Sequence, residues 1–240
     1  MALSNLITNY NNKRSLGSKF RANRIKPLLK IIENIFCKNG EVKILDVGGT
    51  RLYWECLPND FIQKYNIKIT LLNTSTDDIS CSNDCFTFIA ADGCNLSLFG
   101  DKSFDIAHSN SVIEHVGDWE RKVCFANEIR RVATCHYVQT PNFWFPVEPH
   151  CLTLFFHWLP KPCRVFLIMH FNLGHWKKRN NIDQAVRVVE SASLVTKKML
   201  KSLFPDSSIL TERFFFFSKS HIALCSDQKT KEEITTAQET

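Results

Sequence analysis

The sequence has no apolar stretch long enough to cross a bilayer. Its most apolar region, Leu152 to Phe171, is interrupted by His157 and by Pro160, Lys161 and Pro162, so each uninterrupted part falls short of the ~20 helical residues a span requires. There is no N-terminal apolar segment with a cleavage site, and the ten cysteines, at 37, 56, 81, 85, 94, 124, 135, 151, 163 and 225, follow no regular spacing. These absences exclude a disulfide framework and point to a cytoplasmic, reducing setting in which the thiols act as small apolar residues. The nearest approach to a metal pair is Cys81 with Cys85, which lacks a second matching pair, so no metal centre is expected. Basic residues occur in small clusters such as Arg21 with Arg24 and Lys197 with Lys198. The net charge of +6 therefore describes a solvated surface, and with no nucleic-acid motif beside it no nucleic-acid partner is expected. No internal repeat is present.

What remains is 240 residues, 44% of them hydrophobic, enough to bury the core of one large α/β domain. Residues 1–18 have little periodicity and predict a loose arm; 226–240 are polar and predict a disordered tail. Between Lys19 and Cys37, apolar residues from Phe20 to Phe36 recur near helical spacing and predict a leading helix, with Pro27 near an early turn or break. Short apolar runs follow at Val42–Val47, Ile67–Leu72, Phe86–Ala90 and Phe104–Ala107, each with the character of a buried parallel strand. A helix is expected from about Asp118 to Val132, where Phe125, Ile129 and Val132 share a face. A fifth strand is expected over His136–Thr140, a further helix over Ala192–Leu203, and a closing pair of strands over Ser208–Arg213 and Phe215–Cys225. Strands alternating with helices predict a Rossmann-like, doubly wound α/β fold, with a mostly parallel seven-stranded sheet and an antiparallel closing strand. Residues 19–225 form a single domain in this reading, with 141–190 as an acceptor-side lid or insertion.

The chemistry begins at ILDVGGT, residues 44–50, where a buried strand runs into two glycines. Such a turn suits a ligand that must approach the main chain at the carboxyl end of the first strand, and it suits equally an ordinary tight turn. In an open α/β sheet the loops after strands one to four converge on one crevice. Here they supply Asp46 to Thr50, Asn73 to Ser75, Ala91 to Gly93 and Ser109 to Ser111. The G-x-G-x-x-G spacing of a dinucleotide site is missing, as is an acidic residue about twenty positions later, which weakens a nicotinamide oxidoreductase reading.

Across residues 40–140, ILDVGGT, the loop after LLNTS, AADG at 90–93 and FDIAHSNSVIEHVGD at 104–118 resemble the class I S-adenosylmethionine-dependent methyltransferases, in particular the methyltransferase type 11 branch. The resemblance implies S-adenosylmethionine as cofactor and a small-molecule acceptor methylated on an O or N atom. It places Asp46, Gly48 and Gly49 under the methionyl part of the cofactor, with Asp46 orienting either its ammonium or the loop. Asp92 would accept from the adenine amino group beside the Gly93 backbone, Asn110 and Ser111 would line the methionyl and sulfonium side, and His115 would face the acceptor. Two departures stand out. Gly49 is followed by Thr50, Arg51 and Leu52 instead of another spaced glycine, which tightens the loop. Strand two ends in Asn73 where the family tends to place a carboxylate for the ribose hydroxyls, which weakens that hold unless Asp77 or Asp78 substitutes.

A second block, VQTPNFWFPVEPH at 138–150, combines three prolines with aromatic residues and polar Asn142, Glu148 and His150. It is an acceptor wall or a rigid connector. It resembles bacterial methyltransferase-domain proteins associated with surface polysaccharide or lipid-linked sugar pathways, which directs the acceptor towards a saccharide or a lipid-linked molecule. A hydroxyl acceptor usually needs a base, and His115, His150 and Glu148 are the catalytic candidates, each histidine having also a purely structural reading. Residues 152–171 are read as a peripheral membrane contact, a cover for the acceptor or a lid packed on the core. The contrasting reading of the whole chain is a non-catalytic methyltransferase-like binding protein.

Overall fold

The computed structural model describes residues 16–54, 57, 60–74 and 85–225. The expected disordered tail, nearly all of the expected arm, Asp77, Asp78 and Cys81 lie outside these residues. The leading helix, α1 (Leu16–Asn39), continues through Pro27 without a break. An interior proline costs about 3 kcal/mol, but Leu28, Ile31 and Ile32 immediately after it are fully buried, and each such side chain contributes roughly 1.5–3 kcal/mol. Packing on the sheet outweighs the lost helical hydrogen bond.

The strands follow in the expected order: β1 (Val42–Val47), β2 (Ile67–Asn73), β3 (Phe86–Ala90), β4 (Phe104–Asn110), β5 (Ala133–Pro141), β6 (Ser208–Phe214) and β7 (Phe217–Cys225). They form one sheet in the order β3-β2-β1-β4-β5-β7-β6, with β7 antiparallel to both neighbours. This is the doubly wound, mostly parallel, seven-stranded architecture anticipated from the sequence. Strand order reverses between β1 and β4, so their carboxyl ends lie side by side at the switch point. Two short helices, α2 (Arg51–Trp54) and α3 (Phe61–Lys64), connect β1 to β2, and α4 (Trp119–Val132) connects β4 to β5. Asp118 caps α4 by accepting from the Arg121 amide.

β4 extends three residues beyond Ala107. His108 and Ser109 are polar, yet they are buried and pair across the switch point and onto β5. A second core forms beyond the sheet, where Cys151, Phe156, Val165, Ile168, Ala185 and Val189 cluster. It is built from α5 (Lys161–His170) and α6 (Ile182–Glu190), two helices not anticipated from the sequence. Pro160 and Pro162 start α5 instead of breaking a longer element. The helix expected from Ala192 begins only at Lys197, as α7 (Lys197–Leu203), because Thr196 caps it and residues before it run extended beside Asn142. Among the described residues no helix is long and apolar enough to cross a membrane.

His221 of β7 lies buried, its Nδ1 3.2 Å from the Thr211 hydroxyl. Burial, with the Lys197 charge, depresses its pKa to about 4. The unfolded chain titrates this group near 6.5, so its stabilisation is complete above about pH 6.5 and is lost as pH falls through 4. Chemical denaturation across this window should show a decline of about 3 kcal/mol attributable to this group, absent in His221→Gln; an identical decline in that variant would contradict the assignment.

Candidate active site

β1 delivers a fully buried carboxylate, Asp46, to the switch point. Its Oδ2 accepts from Trp54 Nε1 at 2.7 Å, and its Oδ1 lies 2.7 Å from His108 Nδ1. The second contact follows from register, since Asp46 and His108 are Cα partners across β1 and β4. A carboxylate removed from water is strongly unfavourable unless its oxygens are paired. The glycine turn is shaped around this group. Gly48 has φ +75°, and its amide donates to the Leu72 carbonyl at 2.7 Å. A Cβ at Gly48 would lie 2.5 Å from Val112 Cγ2, and one at Gly49 would lie 1.7 Å from Asp46 Oδ2. Internal packing therefore demands both glycines.

Asn73, at the end of β2, donates from Nδ2 to the Gly49 carbonyl at 2.7 Å, tying the second loop to the first. Asp92 is half-exposed. Its Oδ2 pairs with Arg121 Nη2 at 2.8 Å and its Oδ1 accepts from the Cys94 amide at 2.9 Å; the Arg121 hydrogen bond first, and the Cys94 amide second, hold its carboxyl below the ordinary range. Gly93 packs against Val47 and Phe125, where a Cβ would find no room. Asn110 Oδ1 accepts from Arg24 Nη1 of α1 at 3.2 Å. Ser111, at φ +57°, donates its hydroxyl to Gln139 Oε1 at 2.9 Å.

The turn after Ser111 brings Glu114 and His115 to the same end of the sheet, with the His115 amide donating to the Val112 carbonyl. Opposite them the loop after β5 presents Glu148 and His150. His115 Nδ1 lies 2.7 Å from the Ser191 carbonyl, His150 Nδ1 lies 2.7 Å from Glu148 Oε1, and the two Nε2 atoms are 3.0 Å apart. Burial pushes the Glu148 pKa up, but the hydrogen bond and charge of His150, with the Cys151 amide, outweigh it and leave the group below its usual value. Glu148 raises His150 in turn, against the effect of burial. Glu114 is 1% exposed and accepts from the Thr140 hydroxyl at 3.0 Å; burial raises its pKa.

The structure thus bonds Asn73 to Gly49 beside the packed Asp46 and Gly48, and joins His115, His150 and Glu148 in a hydrogen-bonded cluster. Asp92 with Gly93, and Asn110 with Ser111, stand on neighbouring loops. Sequence reasoning missed Trp54, His108, Arg24 and Arg121. His108 shares the alternation of its strand with Ile106, a signal that acquires meaning only once strand pairing sets it beside Asp46.

A cavity of about 480 Å³ adjoins the second cluster, lined among others by Glu148, Phe143, His157, Arg164 and Trp176. His157 uses Nε2 on the Phe143 carbonyl at 2.7 Å, while its Nδ1 and the Arg164 Nε are buried without hydrogen-bond partners among the described residues.

The strand order and the polar loops at the switch point define the Rossmann-like class of fold used by class I methyltransferases. Residues 45–134, from β1 to the start of β5, match the family model of the methyltransferase domain. The chain carries an S-adenosylmethionine-dependent methyltransferase domain, with S-adenosylmethionine as the methyl donor that this family implies. A comparison with curated proteins finds no match. Among solved structures, a protein from Pyrococcus horikoshii is 15% identical with a TM-score of 0.51, covering 93% of this chain and 97% of that one. An S-adenosylmethionine-dependent methyltransferase from Methanosarcina mazei is 16% identical with a TM-score of 0.46 over 77% of this chain and 91% of that one. An O-methyltransferase family protein from Burkholderia thailandensis is 10% identical with a TM-score of 0.49, covering 92% of this chain and 63% of that one. At these identities the Pyrococcus likeness shows the fold alone.

Gly49→Ala is expected to lower stability by about 1–3 kcal/mol, because the new methyl must displace a carboxylate held by two partners. Urea denaturation tests this; a variant as stable as the parent would show that the Asp46 cluster is not the constraint on the turn.

Proposed function

We propose that the chain transfers the methyl group to a hydroxyl of a saccharide, free or lipid-linked. The cavity beside Glu148 is the observation that carries this reading. Glu148, Arg164 and His157 bring polar groups to its lining, as a molecule bearing several hydroxyls requires, and Phe143, Phe156 and Trp176 offer apolar faces for a sugar ring. Lined mostly by residues 143–194, the cavity supports the role of 141–190 as an acceptor-side lid on a single domain.

The residues at the strand ends fit the donor. The peptide groups of Gly48 and Gly49 meet its methionyl part, with Asp46 holding the loop instead of touching the ligand. Asn73 offers its amide oxygen to the ribose, and the half-exposed Asp92 with Gly93 meets the adenine. Asn110 and Ser111 line the sulfonium side. The donor supplies an electrophilic methyl group, so the protein must chiefly align the acceptor oxygen and exclude water. At the histidine pair, Nε2 of His150 accepts the hydroxyl proton, and Glu148, on the opposite ring nitrogen, fixes the tautomer and stabilises the charge.

A lipid-linked acceptor is favoured by a ridge of exposed apolar side chains. Phe215 and Phe216, at the tip between β6 and β7, are 80% and 97% exposed, and Trp144, Leu154 and Phe155 are also exposed. Ring contacts join Phe215 to Phe214 and Phe214 to Phe145, and Trp144 through Trp158 to Phe155. Aromatic side chains in a positively charged protein suit the headgroup level of an anionic membrane.

With free and lipid-linked saccharides and amines offered alongside labelled S-adenosylmethionine, label is expected in a saccharide hydroxyl; label in amines alone would overturn the reading. His150→Ala should lower kcat by about 10²-fold or more while calorimetric binding of S-adenosylmethionine persists. Asp92→Ala and Gly48→Val should each weaken that binding, and unchanged binding in both would refute the placement of the donor. Phe215→Ser with Phe216→Ser should abolish co-sedimentation with phosphatidylserine vesicles; equal sedimentation of variant and parent would remove the ridge from the proposal.

A further inference from the structure

Glu114, His115 and His150 come together from the loops after β4 and β5, and one ligand atom from each lies within 4.8 Å of the other two. The hydrogen bonds behind the two rings set their tautomers. The Ser191 carbonyl can only accept, so His115 Nδ1 carries the proton; the Glu148 carboxylate likewise accepts a hydrogen bond from His150 Nδ1, which therefore also carries a proton. The two Nε2 atoms therefore face each other across 3.0 Å, a separation that either a proton between the rings or a cation bound to both would satisfy. Beside them Glu114 is 1% exposed, with Oε2 on the Thr140 hydroxyl and Oε1 buried without a partner.

We infer that His115 Nε2, His150 Nε2 and the Glu114 carboxylate form a binding site for one divalent transition-metal ion. Two imidazoles with a single carboxylate suit zinc, iron(II) or manganese, whereas magnesium and calcium prefer sites made wholly of oxygen. At zinc–ligand distances of about 2.0–2.2 Å neighbouring tetrahedral ligand atoms stand about 3.3–3.6 Å apart, so the imidazole nitrogens, at 3.0 Å, open slightly and the three atoms, now within 4.8 Å of one another, adjust by about an ångström. The surroundings match the pattern found behind metal-bound histidines: a carboxylate on one ring, a main-chain carbonyl on the other and a hydroxyl on the ligating carboxylate. The exposure of His115 provides an entry path, and three protein ligands leave a coordination position open. An acceptor hydroxyl held at that position would have its pKa lowered and would release its proton to bulk water, with His150 then serving as a ligand instead of the base. The hydroxyl oxygen takes the methyl group, and the donor's sulfur keeps the bonding pair. This role rests on the hydroxyl-acceptor reading above, whereas the binding of the ion does not.

The test uses the full-length chain, dialysed against a chelator and titrated with cobalt(II) by absorption and with zinc by calorimetry. One ion per chain is expected, with a cobalt spectrum lacking the thiolate charge-transfer band that ligation by exposed Cys37, Cys124 or Cys163 would bring. His115→Ala, at an exposed position that leaves the core untouched, should abolish stoichiometric uptake. Glu148→Gln should weaken it about 10–100-fold. No saturable uptake, a thiolate band, or uptake unchanged in His115→Ala would overturn the site and leave a proton shared between the rings. Uptake without methyl transfer to any hydroxyl would keep the site and remove the acceptor reading; methyl transfer to a saccharide without uptake would do the reverse.

Discussion

The buried Asp46 carboxylate is the constraint on which the site depends. It stands at the end of β1 with no access to water, and Trp54 and His108 provide the hydrogen bonds that make this tolerable. Each partner fixes another element: Trp54 brings the short α2 helix back against the sheet, and His108 commits β4 to three more residues of pairing than its apolar run suggests. His108 stacks on Tyr137 of β5, whose hydroxyl donates to the Arg24 carbonyl of α1 at 2.6 Å. A single row of side chains across β1, β4 and β5 thereby couples the floor of the glycine turn to the leading helix. The turn keeps glycine at 48 and 49 because side chains already fill the space a Cβ would take.

The acceptor side follows a different physical logic. Its two histidines are oriented from behind, one by a carboxylate and one by a main-chain carbonyl, so both present the same ring nitrogen to the same point. That convergence requires two loops from neighbouring strands and Ser191, which follows α6. The segment between β5 and α7 has an apolar core of its own, separate from the clusters on the sheet.

The fold was legible because its signals are local. Buried strands are continuous apolar runs, the α4 stripe has helical period, and turn residues punctuate both. The position of the candidate residues at the strand ends was legible for the same reason, since each follows a recognisable strand. What escaped was whatever depends on pairing. Nothing in the sequence near His108 announces a carboxylate sixty-two positions earlier, and Pro27 signals a break that only the burial of Leu28, Ile31 and Ile32 overrides. The lid helices were hidden because Pro160 and Pro162 look like interruptions until they are seen to start a helix. Glu114 and His115 stood out as a pair, but the opposed Nε2 atoms exist only once His150 is set across from His115.

Arg24 of α1 reaches both Asn110 at the end of β4 and Glu212 of β6, with Nη2 3.1 Å from Glu212 Oε2. During synthesis α1 leaves the ribosome first and β6 nearly last, with almost the whole chain made between the two ends of this ion pair. The clasp over the strand ends therefore closes only after the sheet is almost complete. The ends of β4 and β6 are thus tied to the leading helix only when nearly all of the chain is present.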